Sequence, residues 1–142
     1  MRGFGDQPGF VRLQRADQVQ LHPVPIGCPT LHRFLNAIFA EHPQQWEMLA
    51  NDPTLIDGAV EEVLRWVSPL NNMFRMALVD DVVGGQPVKA GDRFVMLYPS
   101  ANHDESVFAD PFTFDICRHP NPHLSFGFGT HLCVGANLAR LV

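Results

Sequence analysis

The amino-acid sequence predicts a mainly α-helical fold with one small antiparallel β-sheet. Three observations support this prediction. Apolar residues recur at helical spacing between residues 31 and 67, and short β-branched and aromatic runs follow between residues 73 and 98. Near the end of the chain, a glycine-rich loop runs into a helix-like segment. With 142 residues the chain is long enough to form one domain around a sizeable core.

Composition and charge exclude several classes of protein. Hydrophobic residues make up 46% and charged residues 18%, which is typical of a globular protein. The formal net charge of -5 argues against a nucleic-acid partner, which requires a basic surface. No apolar run is long enough for a membrane span, and the start does not resemble a secretory signal. The three cysteines show no CxxC pairing, so we expect a reducing compartment and a cytoplasmic location.

The N-terminal stretch, residues 1–30, is rich in proline and glycine. It shows no sustained period of 2 or 3.6 residues, which strands and helices require. We therefore expect irregular or disordered chain here.

Three helices are predicted next, over residues 30–42, 43–50 and 53–67. Pro43 ends the first helix and opens the second, because the residue before a proline avoids helical geometry. Asp52 and Pro53 resemble an N-cap followed by a proline in the first turn, and Ser68-Pro69 ends the third helix. Apolar residues form a stripe on two of these helices, namely Leu31, Phe34, Leu35, Ile38 and Phe39 on the first and Ile56, Val60, Val63, Leu64 and Val67 on the third.

Glu62 and Arg65 lie three residues apart on the third helix, roughly opposite its apolar stripe. Periodicity alone therefore predicts a solvated ion pair that contributes about 0.3 kcal/mol.

Short β signals follow at residues 73–79, 82–83 and 93–98, with a turn at Gly84-Gly85. They predict a small antiparallel sheet. Residues 101–115 then form an aromatic-rich loop, and residues 119–123 form a connector framed by two prolines.

Cys133 lies where the glycine-rich loop meets the helix-like run from Ala136 to Val142. Free N–H groups and the positive end of a helix dipole favour the thiolate there. The glycines let the backbone lie close to a flat group, and Phe126 can cover the sulfur. This arrangement predicts a thiolate presented to a metal.

The same loop resembles the haem-binding loop of the cytochromes P-450, F-G-x-G-x-[HR]-x-C-x-G. All six specified positions match, as Phe126, Gly127, Gly129, His131, Cys133 and Gly135. Chance would give six matches with a frequency on the order of one in tens of millions per register. The resemblance implies that residues 31–142 form the C-terminal, haem-binding part of this fold, truncated at both ends. Residues 1–30 are then expected to be an irregular or unrelated N-terminal stretch.

The resemblance also implies roles for individual residues. Cys133 is expected to be the axial ligand of the iron in haem b, and His131 and Arg75 are expected to pair with the haem propionates. Phe126, Gly129 and Gly135 would line the cofactor. Glu62 and Arg65 match the E-x-x-R signature of the family, which implies a buried structural triad with Arg118 instead of a surface pair.

The implied reaction is a monooxygenation. One oxygen atom from O2 would enter an apolar substrate, a sterol or lipid, with electrons from a ferredoxin or another electron-transfer protein. The A-G-x-[DE]-T motif for oxygen activation is absent from residues 1–35, so no catalytic residue is identified.

Two alternatives remain open at the level of the sequence. One is an inactive fragment of such an enzyme. The other is a zinc-binding module built from nearby Cys and His residues, namely Cys117, His119, His123, His131 and Cys133.

Overall fold

The computed structural model describes residues 14–15 and 28–140, and the predictions for the remaining N-terminal residues and for Leu141 and Val142 lie outside this range. The helices are α1 (Cys28–Glu41), α2 (Pro43–Asn51), α3 (Ile56–Val67), α4 (Tyr98–Asn102) and α5 (Ala136–Ala139), with 3-10 turns at Pro53–Leu55 and Gly129–His131. The strands are β1 (Gln14–Arg15), β2 (Asn72–Met76), β3 (Asp81–Val83), β4 (Gln86–Val88) and β5 (Arg93–Leu97).

The bounds of the first three helices follow the capping residues of the sequence. The backbone N–H of Thr54 donates to the side chain of Asp52 at 3.0 Å, as predicted for an N-cap. Helix α3 ends at Val67 because Ser68 adopts a left-handed conformation with φ of 44°. Its N–H donates to the carbonyl of Leu64 at 3.0 Å, which closes the last turn.

The predicted small antiparallel β structure is present, but within the described residues its strands are divided between two sheets and are not joined in one. Strand β5 pairs antiparallel with both β1 and β2, whereas β3 and β4 pair only with each other in the described chain. Gly84 and Gly85 both have positive φ angles, which gives the tight turn of a self-contained hairpin. At the base of this hairpin, the Asp80 carboxylate accepts from the N–H of Ala90 at 2.9 Å.

Strand β1 falls within the stretch for which irregular chain was predicted. Gln14 pairs with Val95 and Arg15 pairs with Phe94. A strand of two residues is too short to produce a period-2 pattern, so periodicity could not reveal it. Helix α1 likewise begins at Cys28, two residues before the predicted start.

The core lies between α1, α3 and the loop that follows α4. Its buried members are Ile38, Ala59, Val63, Phe114 and Ile116. Phe114 contacts Phe39 and Trp66 edge-on, with ring centroids 5.9 and 5.6 Å apart. The loop therefore packs on the helices instead of lying loosely over them.

Part of the predicted apolar stripe of α3 stays outside this core. Ile56 is 56% exposed, and it borders an open apolar groove of about 510 Å³ formed by α1, α2 and α3. Within the described residues, no helix has the length and apolar character needed to cross a bilayer.

Candidate functional site

The charged pair of α3 is fully buried. Arg65 donates from Nε to Oε2 of Glu62 and from Nη2 to Oε1, both at 2.8 Å, which is a bidentate ion pair. Arg118 adds a third charged group, because its Nε lies 3.2 Å from both oxygens of the same carboxylate. The structure thus brings Glu62, Arg65 and Arg118 together in one cluster.

The prediction of a solvated ion pair, which rests on periodicity alone, is therefore wrong. The face of α3 that carries Glu62 is covered by the loop of residues 102–121, and helical periodicity carries no information about that loop. Asp115 donates its backbone N–H to Glu62 Oε1, and Asn121 donates from Nδ2 to Oε2, both at 3.0 Å. With these donors, the buried carboxylate is fully compensated.

The two arginines use their remaining N–H groups to hold the backbone of this loop. Arg65 donates to the carbonyls of Asn102 and Pro111 at 2.8 and 2.9 Å. Arg118 donates to the carbonyls of Ala109 and Thr113 at 2.6 and 2.8 Å. The cluster therefore holds in place the loop that leads towards Cys133.

Asn102 is a structural residue of the site whose role the sequence did not reveal. Its side chain is fully buried and accepts from the N–H of Leu124 at 2.7 Å. Its Nδ2 donates to the hydroxyls of Ser68 and Ser125 at 2.8 and 2.9 Å. Asn102 thereby joins the end of α3 to the residues that immediately precede Phe126. A single asparagine at the end of the short helix α4 has no spacing pattern that would predict this contact.

The cysteine loop, residues 126–135, is closed by a backbone hydrogen bond. The N–H of Cys133 donates to the carbonyl of Phe126 at 2.8 Å. Gly127 has a φ of 75°, and a Cβ at this position would lie 3.1 Å from the carbonyl oxygen of His131. The position therefore requires glycine for both its conformation and its space.

Cys133 is an exposed free thiol in this loop. Phe128, Leu132 and Val134, three apolar residues of the same loop, are also exposed. A Cβ added at Gly135 would lie 3.9 Å from the sulfur, an ordinary van der Waals contact, so this glycine lies directly beside the thiol. This surface suits a large, flat, apolar group coordinated through sulfur.

The two predicted propionate partners lie on different elements. His131 is exposed at the end of the 3-10 turn of the loop. Arg75 is half-buried on β2 and donates from Nη1 to the carbonyl of Phe74 at 2.9 Å. Neither side chain forms an ion pair within residues 28–140.

The zinc alternative is not favoured by the geometry. Across the described ranges, no three side chains of His, Cys, Asp or Glu lie close enough to hold one metal ion. His123 also has both ring nitrogens engaged, by the N–H of Ser125 at 3.2 Å and by Glu61 at 2.7 Å.

Comparison with known proteins decides the family of this chain. The family model described as Cytochrome P450 matches residues 34–142, which include the cluster around Glu62 and the whole cysteine loop. The chain belongs to the cytochrome P450 family.

Individual P450 relatives agree with this assignment. A steroid C26-monooxygenase of Mycobacterium tuberculosis (strain CDC 1551 / Oshkosh) is 50% identical over 97 residues, which cover 68% of this chain and 26% of the relative. Cytochrome P450-terp of a Pseudomonas species is 48% identical over 102 residues, covering 72% and 24%. The solved structure of P450BioI with an acyl carrier protein ligated to hexadec-9Z-enoic acid superposes with a TM-score of 0.76 at 43% identity, covering 78% and 29%.

The chain spans about a quarter of the length of the curated P450 relatives it matches. Family membership implies a haem iron, and the residues of the loop fit one. The loop offers one exposed sulfur donor, a glycine directly beside that donor, and exposed apolar side chains. The mainly helical fold with small antiparallel sheets also agrees with this family.

Proposed function

We propose that this chain binds haem b through the thiolate of Cys133 and supplies the haem-binding part of a monooxygenase. The observation that carries this proposal is the closed loop, in which the Cys133 N–H donates to the Phe126 carbonyl, the sulfur is exposed, and apolar side chains of the same loop are exposed as well. Such a loop holds the sulfur in one place before the cofactor arrives, which lowers the entropic cost of binding.

The residues expected to bind or support the cofactor have different tasks in this proposal. Phe126 and the glycines Gly129 and Gly135 shape the surface that receives the macrocycle. His131, and Arg75 on β2, supply cationic or hydrogen-bonding partners for the two propionates, because carboxylates at an apolar surface need such partners. The cluster of Glu62, Arg65 and Arg118 holds the preceding loop rigid, so that the sulfur is presented in a fixed orientation.

The bound haem supplies the oxygen chemistry, since a cysteine thiolate ligand pushes electron density towards the iron and favours O–O cleavage. The overall reaction consumes O2, two electrons and two protons, and yields a hydroxylated substrate and water. A ferredoxin or a similar carrier would deliver the electrons. The free thiols of Cys117 and Cys133 are consistent with a reducing, cytoplasmic location.

The proposed substrate is an apolar molecule of the sterol or lipid class. Several relatives are steroid C26-monooxygenases, and one solved neighbour was crystallised with a fatty acyl chain on its carrier protein. What supports this class is sequence similarity, because the steroid C26-monooxygenases are about 50% identical to this chain.

Isotope labelling tests the proposed reaction. The haem-loaded chain is incubated with a ferredoxin, its reductase, NADPH and a steroid carrying an alkyl side chain, under 18O2. We expect one labelled oxygen atom in the product, and none with Cys133→Ala. The matched control is Cys117→Ala, which removes the other described exposed thiol and should leave labelling unchanged. Unlabelled steroid from a chain that holds haem through Cys133 would contradict turnover by this chain and would support the alternative of an inactive fragment of such an enzyme.

A further inference from the structure

Two adjacent glutamates of α3 serve two different parts of the molecule. Glu62 belongs to the buried cluster with Arg65 and Arg118, whereas Glu61 is partly exposed and contacts one residue before and one residue after the cysteine loop. Before the loop, Nε2 of His123 lies 2.7 Å from Oε2 of Glu61. After the loop, Arg140 forms an ion pair with the same carboxylate, with Nη2 lying 3.0 Å from Oε2.

The contact with His123 is a hydrogen bond from a neutral ring. The N–H of Ser125 donates to Nδ1 of His123, so the proton of the neutral imidazole lies on Nε2 and is donated to Glu61. Burial lowers the pKa of His123, which agrees with the neutral form. The charge of Glu61 is therefore matched by Arg140, whose guanidinium holds the pKa of the Glu61 carboxyl below its ordinary value.

Arg140 also contacts the cysteine loop. Its guanidinium lies over the ring of Phe126, 4.7 Å from the centroid, in a cation–π contact. The ring of His123 flanks the same phenyl group at a centroid distance of 6.0 Å. Phe126 is also the residue whose carbonyl accepts the N–H of Cys133. Both groups that Glu61 holds thus meet at the residue that closes the loop.

We infer that Glu61 is a positioning residue for the cysteine loop. Its carboxylate holds His123 and Arg140, these two side chains fix Phe126, and Phe126 fixes the backbone of Cys133. The part of this inference that concerns haem rests on the proposed function, because the surroundings of a ligating sulfur tune the metal it holds. The part that concerns the loop alone does not depend on haem.

Hydrogen exchange of the haem-free chain tests the loop directly. Glu61→Gln keeps an oxygen for the His123 N–H but removes the charge that holds Arg140. We expect the amide of Cys133 to exchange about fivefold faster than in the wild type, because the loop opens locally without unfolding the protein. Amides of the β2–β5 ladder should keep their rates. Glu47→Gln, the same change at an exposed position of α2, is the matched control and should alter neither.

A second variant separates positioning from general destabilisation. Arg140→Gln should raise Cys133 exchange to a similar extent, and the double variant should show little further increase, since both changes break one chain of contacts. An equal rise at Cys133 and in the β2–β5 ladder would overturn the inference. So would a Cys133 rate that Glu61→Gln leaves unchanged.

The haem-loaded chain gives an independent spectroscopic readout. In the reduced, carbon monoxide-bound form, Glu61→Gln should lower the fraction of the red-shifted, thiolate-type Soret band several-fold relative to Glu47→Gln. Equal thiolate fractions in these two variants would contradict the role of Glu61 towards haem. A wild-type chain with no such band would refute the proposed function, while the exchange experiment would still decide the role of Glu61 in the loop.

Discussion

Glu62 shows how one side chain can organise a large part of this molecule. Its carboxylate accepts hydrogen bonds from Arg65, Arg118, Asn121 and the backbone of Asp115. The sequence could predict this cluster only through the family motif. Periodicity places Glu62 on a polar face, and it becomes buried because a loop distant in sequence covers that face.

Glu62→Ala should destabilise the fold by about 3–5 kcal/mol, because it leaves the Arg65 guanidinium buried without its anion. Urea unfolding monitored by circular dichroism measures this loss. Glu47→Ala, an exposed change on α2, should alter the free energy of unfolding by about 0.5 kcal/mol or less. Similar losses in the two variants would contradict the structural role of the cluster.

His123 gives the fold a predictable dependence on pH. Burial lowers its pKa below the ordinary value of 6.5, so the unfolded chain binds a proton more readily than the folded chain. Stability should therefore fall as pH decreases from about 6.5 towards the lowered pKa. The lowered pKa of Glu61 acts in the same direction at more acidic pH, below its ordinary value of 4.5.

Urea unfolding of the wild type and of His123→Gln tests this dependence. The midpoints are measured from about pH 7.5 to about pH 5.5, because this window spans the ordinary histidine pKa. The wild type should lose more stability on acidification than the variant, which has no imidazole to protonate at this position. Parallel curves for the two proteins would show that His123 does not carry the effect.

Among the elements, helix boundaries were predictable and strand pairing was not. Helices begin or end next to Pro43, Asp52 and Pro53, because prolines and N-cap residues restrict where helical geometry can start or stop. Predicted and observed bounds therefore agree within about three residues. The division into two sheets depends on which strands meet in space. Nothing in the spacing of residues 73–98 distinguishes a separate hairpin from a third and fourth strand of one sheet.

Gly58 shows how closely α3 approaches the loop that carries Ile116. A Cβ at this position would lie 2.6 Å from the Ile116 carbonyl oxygen. Gly58→Ala should therefore destabilise the fold by about 1–3 kcal/mol, although alanine favours helices by about 1 kcal/mol over glycine. Thermal unfolding measures the change, and Asp57→Ala at the neighbouring exposed position is the control. A stabilised Gly58→Ala variant would mean that the helix and loop do not pack this closely.

At the scale of the whole molecule, the described residues leave an apolar groove of about 510 Å³ open between α1, α2 and α3. The apolar stripes of the sequence identified residues that line it, including Leu35, Phe39 and Ile56. They could not show which of them reach the core, because that depends on how the three helices are arranged. Exposed apolar surface of this kind promotes association and binds hydrophobic dyes.

Ile56→Gln should reduce both effects, because Ile56 is 56% exposed at the edge of the groove. Fluorescence of a hydrophobic dye should fall, and light scattering at high protein concentration should fall with it. The free energy of unfolding should change by about 0.5 kcal/mol or less. Leu78→Gln is the control, since Leu78 is 82% exposed and lies away from the groove lining. Equal dye binding by the two variants would contradict the assignment of the groove.

The measurement that tests the central claim most directly is the absorption spectrum of the haem-reconstituted chain after reduction and exposure to carbon monoxide. We predict a red-shifted, thiolate-type Soret band that is lost in Cys133→Ala and retained in Cys117→Ala. Circular dichroism of each protein establishes that it is folded. A folded wild-type chain without this band, or a band that survives Cys133→Ala, would contradict haem binding through Cys133.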